Sequence, residues 1–234
     1  MPEPYKLVAL LPMKAHSARV KSKNFREFAG KPLFRWILGT LLSMEEVEKV
    51  VINTDARHIL AEHGLNDGDA AGRVMIRDRK EEICGDFVSM NLVLADDVAN
   101  VEAHAYLMTH TTNPLLSAKA IRGALAKYRD EAETGRADSL FTVNKVQTRF
   151  YREDMSPVNH DPDNLIRTQD LEPWYEENSN LYIFNRDSFA KTDARIGAKP
   201  AMYETPPLES IDIDNADQWM LAEAVALYDK KVEF

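Results

Sequence analysis

The run Lys6-Leu7-Val8-Ala9-Leu10-Leu11-Pro12 carries no polar side chain after its first residue. A strand without a polar face must be covered on both sides, as a central strand is in a parallel sheet flanked by helices. Pro12 has no amide hydrogen to continue a ladder, so the strand stops there. The next segment, Lys14-Ala15-His16-Ser17-Ala18-Arg19-Val20-Lys21-Ser22-Lys23-Asn24, is polar and gathers four cations, Lys14, Arg19, Lys21 and Lys23, within ten residues. It reads as a basic loop. Gly30-Lys31-Pro32 then places a proline near the first turn of a helix whose apolar residues Leu33, Phe34, Ile37, Leu38, Leu41 and Leu42 recur at helical spacing. Strand, basic loop and helix open an α/β fold.

Outward from this unit, Val50-Val51-Ile52 reads as a second strand ending at Asn53-Thr54-Asp55, with a helix from Ala56 to about His63 and a third strand from Arg73 to Ile76. Asp86 is placed to cap a helix through Met90, Leu92, Val93, Leu94 and Val98. Ala103 to Met108 reads as a fourth strand, closed by the polar turn Thr109-His110-Thr111-Thr112-Asn113-Pro114. Ser117 caps a helix to about Arg129, and Leu140-Phe141-Thr142-Val143 is a fifth strand. This alternation predicts a three-layer α/β/α architecture with a mainly parallel, Rossmann-like sheet. From Asn144 to Asn180 the pattern breaks, with Pro157, Pro162 and Pro173 and few apolar runs. Structureless stretches of that length are functional or lie against another subunit, so 144–180 is read as an excursion from a single domain spanning 1–234. Leu181-Tyr182-Ile183-Phe184 resumes a strand, and Met202 and Tyr203 form a short one. Asp214 or Asn215 starts a terminal helix with Trp219, Leu221, Ala222, Val225 and Leu227 apolar.

Across 234 residues, 29 Lys+Arg face 38 Asp+Glu, a net charge of −9. That surplus argues against a nucleic-acid partner held through its phosphates. The single cysteine, Cys84, excludes an internal disulfide or a multi-cysteine metal site and suits the reducing cytoplasm. Met1-Pro2-Glu3-Pro4-Tyr5 has no basic leader region, and no run of about 18 apolar residues occurs, so neither a signal segment nor a membrane span is expected.

In an open parallel sheet, ligands bind outside the carboxyl ends of the strands where the strand order reverses. The segments 14–24, 53–55 and 110–114 all end there. The basic loop suits a polyphosphate, although it has neither glycine-rich phosphate pattern, and a solvated charged loop is the plainer alternative. In Glu209-Ser210-Ile211-Asp212-Ile213-Asp214 the alternation puts Asp212 and Asp214 on one side of an extended chain. Such a pair suits Mg²⁺ completed by substrate phosphate oxygens; equally, Asp214 suits the cap of the last helix. Cys84 reads as a small buried residue, and His58 and His63 as surface positions. Trp174, Tyr175, Tyr182 and Phe184 either line a pocket or pack the excursion onto the core.

Taken together, these segments form one pattern. Val8 through Asn24, with Ala29-Gly30-Lys31-Pro32-Leu33 after it, resembles the opening loop of the acylneuraminate cytidylyltransferase (CMP-sialic acid synthetase) family. Val51-Ile52-Asn53-Thr54-Asp55 is similar to that family's VSTD, and Arg79, Asp86 and Ser89 match its next motif. Thr112-Asn113-Pro114-Leu115 resembles TSPL, Asn178 with Tyr182-Ile183 resembles NGAxYI, and Ser210 to Asp214 is its SIDID. The matches follow family order along nearly the whole chain.

The resemblance implies a nucleotide-diphospho-sugar transferase fold and transfer of CMP from CTP to a sialic-acid-like sugar acid, releasing pyrophosphate. It implies that Lys14 and Lys23 bind the triphosphate, that Ser17 and Asn24 shape the loop, and that Arg79, Asp86 and Ser89 lie beside the cytidine. It places His110, Asn178 and Tyr182 toward the acceptor, Asp212 and Asp214 on Mg²⁺, and the excursion in a homodimer. The chain departs from the family pattern at Lys14, where Arg is usual, at Ala15-His16 and Lys21, at His110 in place of Gln, and at Leu116 in place of Arg. These departures bear on which acceptor is used. The other readings are a different acceptor, such as 3-deoxy-octulosonate, a phosphonate or an alditol phosphate, and a nucleotide-binding homologue without catalysis.

Overall fold

A computed structural model describes residues 5–16 and 20–229. The opening run is β1 (Leu7–Leu10), buried at every position. Beyond the basic loop, β2 (Glu27–Phe28) and β3 (Lys31–Pro32) make a small antiparallel hairpin. Its linking residues, Ala29 and Gly30, have φ of 45° and 90°, the two positive angles a type I′ turn needs. Helix α1 (Phe34–Ser43) buries Phe34, Ile37, Leu38 and Leu41 at the predicted spacing. Then come β4 (Val47–Thr54), α2 (Arg57–Glu62), the single turn α3 (Asp69–Gly72) and β5 (Val74–Asp78). Next are α4 (Met90–Asn100), β6 (Ala105–Thr109), α5 (Ala118–Glu133) and β7 (Ser139–Val146). The chain continues through β8 (Trp174–Phe184), α6 (Arg186–Thr192), β9 (Pro200–Glu204) and α7 (Ala216–Asp229).

The large sheet runs β5-β4-β1-β6-β8-β7-β9. All its pairings are parallel except those of β8, which is antiparallel to both β6 and β7. Side chains alternate between the two faces, as period-2 geometry demands. Leu7, Ala9, Val50, Ile52 and Leu107 pack against α1, α2 and α5 on one face, while Val8, Leu10, Val51, Tyr106 and Met108 pack against α4 and α6 on the other. The expected three-layer α/β/α architecture is therefore present. The chain leaves β1 toward β4 and later returns to pair β6 on the opposite side of β1, so the strand order reverses between β1 and β6.

Two local expectations are corrected, and the buried face of the last helix is defined. Ser89, not Asp86, caps α4: its hydroxyl accepts from the Asn91 amide, and the helix starts three residues later than an Asp86 cap would start it. In α7, Leu221 and Leu227 face solvent, and the buried positions are Trp219, Ala222 and Ala226, which close against Phe28 and Leu33 of the hairpin region. The excursion is narrower than 144–180. Residues 144–146 and 174–180 belong to β7 and β8, which run on as an antiparallel ribbon in which Val146 pairs with Trp174. Only 147–173 lies outside the strands, apart from one short 3-10 turn. The ribbon was illegible as strand because Trp174 to Glu177 is exposed on both faces, which removes the hydrophobic alternation. Trp174 stacks on Phe150, while Tyr182 and Phe184 are core residues.

Candidate active site

At the reversal between β1 and β6 the sheet opens into a cleft of about 360 Å³. Lys14, Lys23, Asn24, Arg79, Asp86 and His110 line it. These are six of the residues singled out from sequence, brought together from positions nearly a hundred residues apart.

The cleft is held open by hydrogen bonds that leave little slack in the basic loop. Met13 extends the ladder by donating its amide to the Asn53 carbonyl at 3.1 Å, and the Ala15 amide donates to Asp55 Oδ1 at 2.7 Å. Asn24 donates to the Lys14 carbonyl at 2.8 Å and accepts from the Thr111 hydroxyl at 2.6 Å, which ties both walls together. Lys23 is buried; its ammonium donates to the Ile213 carbonyl at 2.7 Å and lies 3.4 Å from Asp214 Oδ1. The Ile213 amide in turn donates to the Thr112 carbonyl at 2.9 Å. Lys14 forms an ion pair with Asp86, and that pair, led by the lysine hydrogen bond, holds the Asp86 carboxyl below its usual range. The loop's cations divide: Lys21 is exposed beside Trp219 on another surface and does not line the cleft. Ser17 and Arg19 lie outside the described residues.

Other expected site residues sit elsewhere. Ser89 lines a neighbouring cavity as the cap of α4. Asn178 is buried and spends its amide on structure, accepting from Thr142 Oγ1 at 2.7 Å and donating to Asn144 Oδ1 and Thr205 Oγ1 at 2.9 and 2.6 Å. Tyr182 is fully buried, and desolvation pushes its phenol up to about 12. Asp212 faces a third cavity shared with Asn178 and Glu177. Among the described residues, no group of three or more His, Cys, Asp or Glu side chains is arranged to hold a metal. Asp212 and Asp214 do offer two hard oxygen donors on one partly exposed segment, and such a pair takes up Mg²⁺ when phosphate oxygens complete the shell. Asn215, rather than Asp214, has the capping role, accepting from the Gln218 amide at 2.9 Å.

A cytidylyltransferase family model matches residues 8–232 of the chain. The chain belongs to the cytidylyltransferase family. It is 26% identical over 226 residues to the N-acylneuraminate cytidylyltransferase of Oncorhynchus mykiss, covering 93% of this chain and 49% of that protein. It is 26% identical over 229 residues to the CMP-N,N'-diacetyllegionaminic acid synthase of Legionella pneumophila, covering 93% of this chain and 95% of that one. The chain thus spans about half the length of the N-acylneuraminate cytidylyltransferases it matches. A solved CMP:2-keto-3-deoxy-manno-octonic acid synthetase complexed with CTP shares the fold, with a TM-score of 0.67, 14% identity and coverage of 96% of this chain and 99% of that one.

In this cytidylyltransferase-family chain the linkage of Asn53 and Arg79 to Asp97 escaped sequence reasoning. Arg79 donates from Nε to Asn53 Oδ1 at 3.0 Å and from Nη2 to the carbonyls of Asn53 and Met13 at 2.8 and 3.2 Å. Asn53 turns its oxygen to Arg79 because its Nδ2 donates to Asp97 Oδ1 at 2.8 Å, and Arg77 Nε reaches the same oxygen at 3.0 Å. The adjacent Asp96 pays desolvation too, but hydrogen bonds from Lys80 and Arg77 hold it below the usual carboxylate range. Asp97 is fully buried, its Oδ2 has no hydrogen-bond partner, and desolvation pushes it up to about 6. No local motif marks Asn53 with Asp97, because the pair is long-range.

This sets a pH signature. The native state keeps the Asp97 proton up to about pH 6 while the unfolded chain loses it near its ordinary value of 3.8, so stability falls as pH rises between the two. Asp97→Asn keeps Oδ1 as an acceptor and removes the titration. Relative to wild type, the variant is expected to gain about 2 to 3 kcal/mol between pH 4 and pH 7.5, on top of a constant offset for a buried amide. Urea midpoints at the two pH values check this, and parallel pH profiles for the two proteins would refute it.

At the far wall, His110 is pushed down to about 3 by desolvation and then by the positive charges of Arg195 and Lys23. It is neutral at physiological pH and a weak base. Arg195 was not singled out from the sequence, where it is one arginine in a polar connection between α6 and β9.

Proposed function

We propose that the chain transfers CMP from CTP to a sialic-acid-like nonulosonic acid, releasing pyrophosphate. The observation that carries this reading is the convergence of Lys14, Lys23, Arg79 and His110 in one cleft at the β1/β6 reversal, in a family match running from residue 8 to 232. The names of the relatives favour the acceptor class, since N-acylneuraminate and legionaminic acid enzymes share the chain's whole matched length.

In this reaction the acceptor hydroxyl oxygen attacks the α-phosphorus in line with the bridging oxygen to the β-phosphate. That bridge breaks, pyrophosphate leaves with the bonding pair, and the hydroxyl proton passes to solvent. Phosphoryl-type transfer gains most from positioning and charge neutralisation. Lys23, fixed by Ile213 and Asp214, supplies a stationary positive charge beside the triphosphate. Lys14 exchanges its Asp86 partner for phosphate oxygens, and Arg79, clamped by Asn53, borders the nucleoside. Asp212 and Asp214 would hold Mg²⁺, which when bound supplies further neutralisation of phosphate charge. Residues 147–173, which connect the two ribbon strands and expose Tyr151, Met155, Leu165 and Ile166, are proposed to complete a homodimer. A CTP-dependent reaction and a single cysteine suit the cytoplasm.

The test is pyrophosphate release from each of the four nucleoside triphosphates, with Mg²⁺, against N-acetylneuraminic, legionaminic, pseudaminic and 3-deoxy-octulosonic acids. CTP with a nonulosonic acid is expected to turn over fastest. No turnover with CTP and any acceptor overturns the reading, and a monomeric protein in solution overturns the dimer.

A further inference from the structure

Beside the nucleotide cleft lies a second cavity of about 290 Å³, lined by Ser89, Met90, Asn91, Glu177 and Arg195 among others. Met90 lines both spaces, so they adjoin across one side chain. Among the described residues, Arg195 is the one cation on the second cavity's wall, and its side chain is only 20% exposed. Its guanidinium lies 3.9 Å from the centre of the Tyr182 ring, and Nη2 donates to the Tyr182 hydroxyl at 3.0 Å. That hydroxyl is itself bonded to Glu177 and lies 3.2 Å from Ser179 Oγ. Arg195 Nη2 and Glu177 Oε1 make a loose ion pair at 3.9 Å, too long for a hydrogen bond. Nε and Nη1 donate to none of the described residues. A guanidinium oriented by an aromatic face and a phenol, with donors left over and water largely excluded, is organised to receive an anion.

The cations lining the adjoining cleft are engaged elsewhere: Lys14 with Asp86, Lys23 with Ile213 and Asp214, Arg79 with Asn53 and Met13. We infer that Arg195 binds the carboxylate of the acceptor acid and that the cavity between Met90 and Glu177 is the acceptor's subsite. This rests on the reaction proposed above and assigns its acid recognition to a residue between α6 and β9. Tyr182 is then a positioning residue, acting from the core through its ring and hydroxyl rather than by touching the sugar.

The test uses the full chain, with the panel acid that turns over fastest and the methyl ester of that acid. Losing a charge-assisted contact, Arg195→Gln is expected to raise the acceptor KM by about 10- to 100-fold while the KM for CTP stays within about twofold. Wild type is expected to prefer the acid over its ester by at least about tenfold, and Arg195→Gln to erase that preference. A purely structural arginine pinning Tyr182 would not move the acid-to-ester ratio, so an unchanged ratio in the variant overturns the inference. Should Arg195→Gln not fold, as judged by its CTP-induced thermal shift, Arg195→Lys keeps the charge and loses the fork. The lysine variant is expected to keep the preference for acid at a raised acceptor KM, and an unaltered acceptor KM overturns the inference. A wild-type protein that uses no acid at all counts against the reaction, whereas a variant that retains full acid preference counts against this subsite alone.

Discussion

Lys23→Met is expected to lower kcat/KM for CTP by about 10²- to 10³-fold, the cost typical of removing one preorganised charge-stabilising donor. Lys23 is buried, and its ammonium is fixed at 2.7 Å from a backbone carbonyl, so it needs no reorganisation when negative charge builds on the pyrophosphate that the proposed reaction would release. The same burial separates it from Lys14, which is half-exposed and paired with Asp86, and whose loss is expected to cost less. Methionine approximates the stem's volume while removing the charge. Some destabilisation follows, about 1 to 3 kcal/mol for the abandoned Ile213 carbonyl, and urea unfolding separates it from the kinetic effect. Lys23→Arg keeps the charge but moves it outward, and its activity is expected to lie between the two. Steady-state pyrophosphate release measures all three; a loss smaller than tenfold for Lys23→Met would mean the triphosphate binds elsewhere.

Asp212→Asn combined with Asp214→Asn is expected to abolish turnover, a fall of about 10³-fold or more, while the fold survives. Both aspartates are partly exposed, but Lys23 across the 3.4 Å Asp214 pair is buried, so removing the two charges is expected to cost about 1 to 3 kcal/mol of stability. The backbone of this segment is pinned independently by the Ile213 amide on Thr112. Activity near wild type in the double variant would refute the metal assignment. Loss of activity together with loss of the thermal transition would show that the carboxylates serve the fold instead.

What the sequence disclosed and what it hid follow from the range of the interactions. β1, the basic loop and α1 were legible because their signals are local: a doubly buried run, a cluster of cations, a 3.6-residue period. The convergence of Lys14, Lys23 and His110 followed from one topological rule about strand ends. The Asp97–Asn53–Arg79 network was not legible, because nothing in the neighbourhood of Asn53 announces a carboxylate 44 residues away. Nor was the contact of Arg195 with Tyr182, thirteen residues earlier in the chain, which no local pattern marks. The family pattern put Asn178 and Tyr182 near the acceptor, and the structure shows both side chains committed to internal partners. Asp86 was misread as a cap because Asp and Ser are nearly equivalent in that role and Ser89 stands three residues on.

The bond from Lys23 to Ile213 spans 190 positions of chain. On a ribosome, β1, β4, β5 and β6 emerge long before residue 213, so the strands that flank the cleft are available to pair before the Lys23 contact can form. The Lys23 ammonium reaches its final place only when Ile213 arrives, docks on Thr112, and α7 closes over the hairpin through Glu223, which accepts the Ala29 amide at 2.8 Å. A chain interrupted before residue 213 therefore carries the sheet and the residues that line the cleft, from Pro12 to Thr112, but lacks the carbonyl that fixes the Lys23 ammonium.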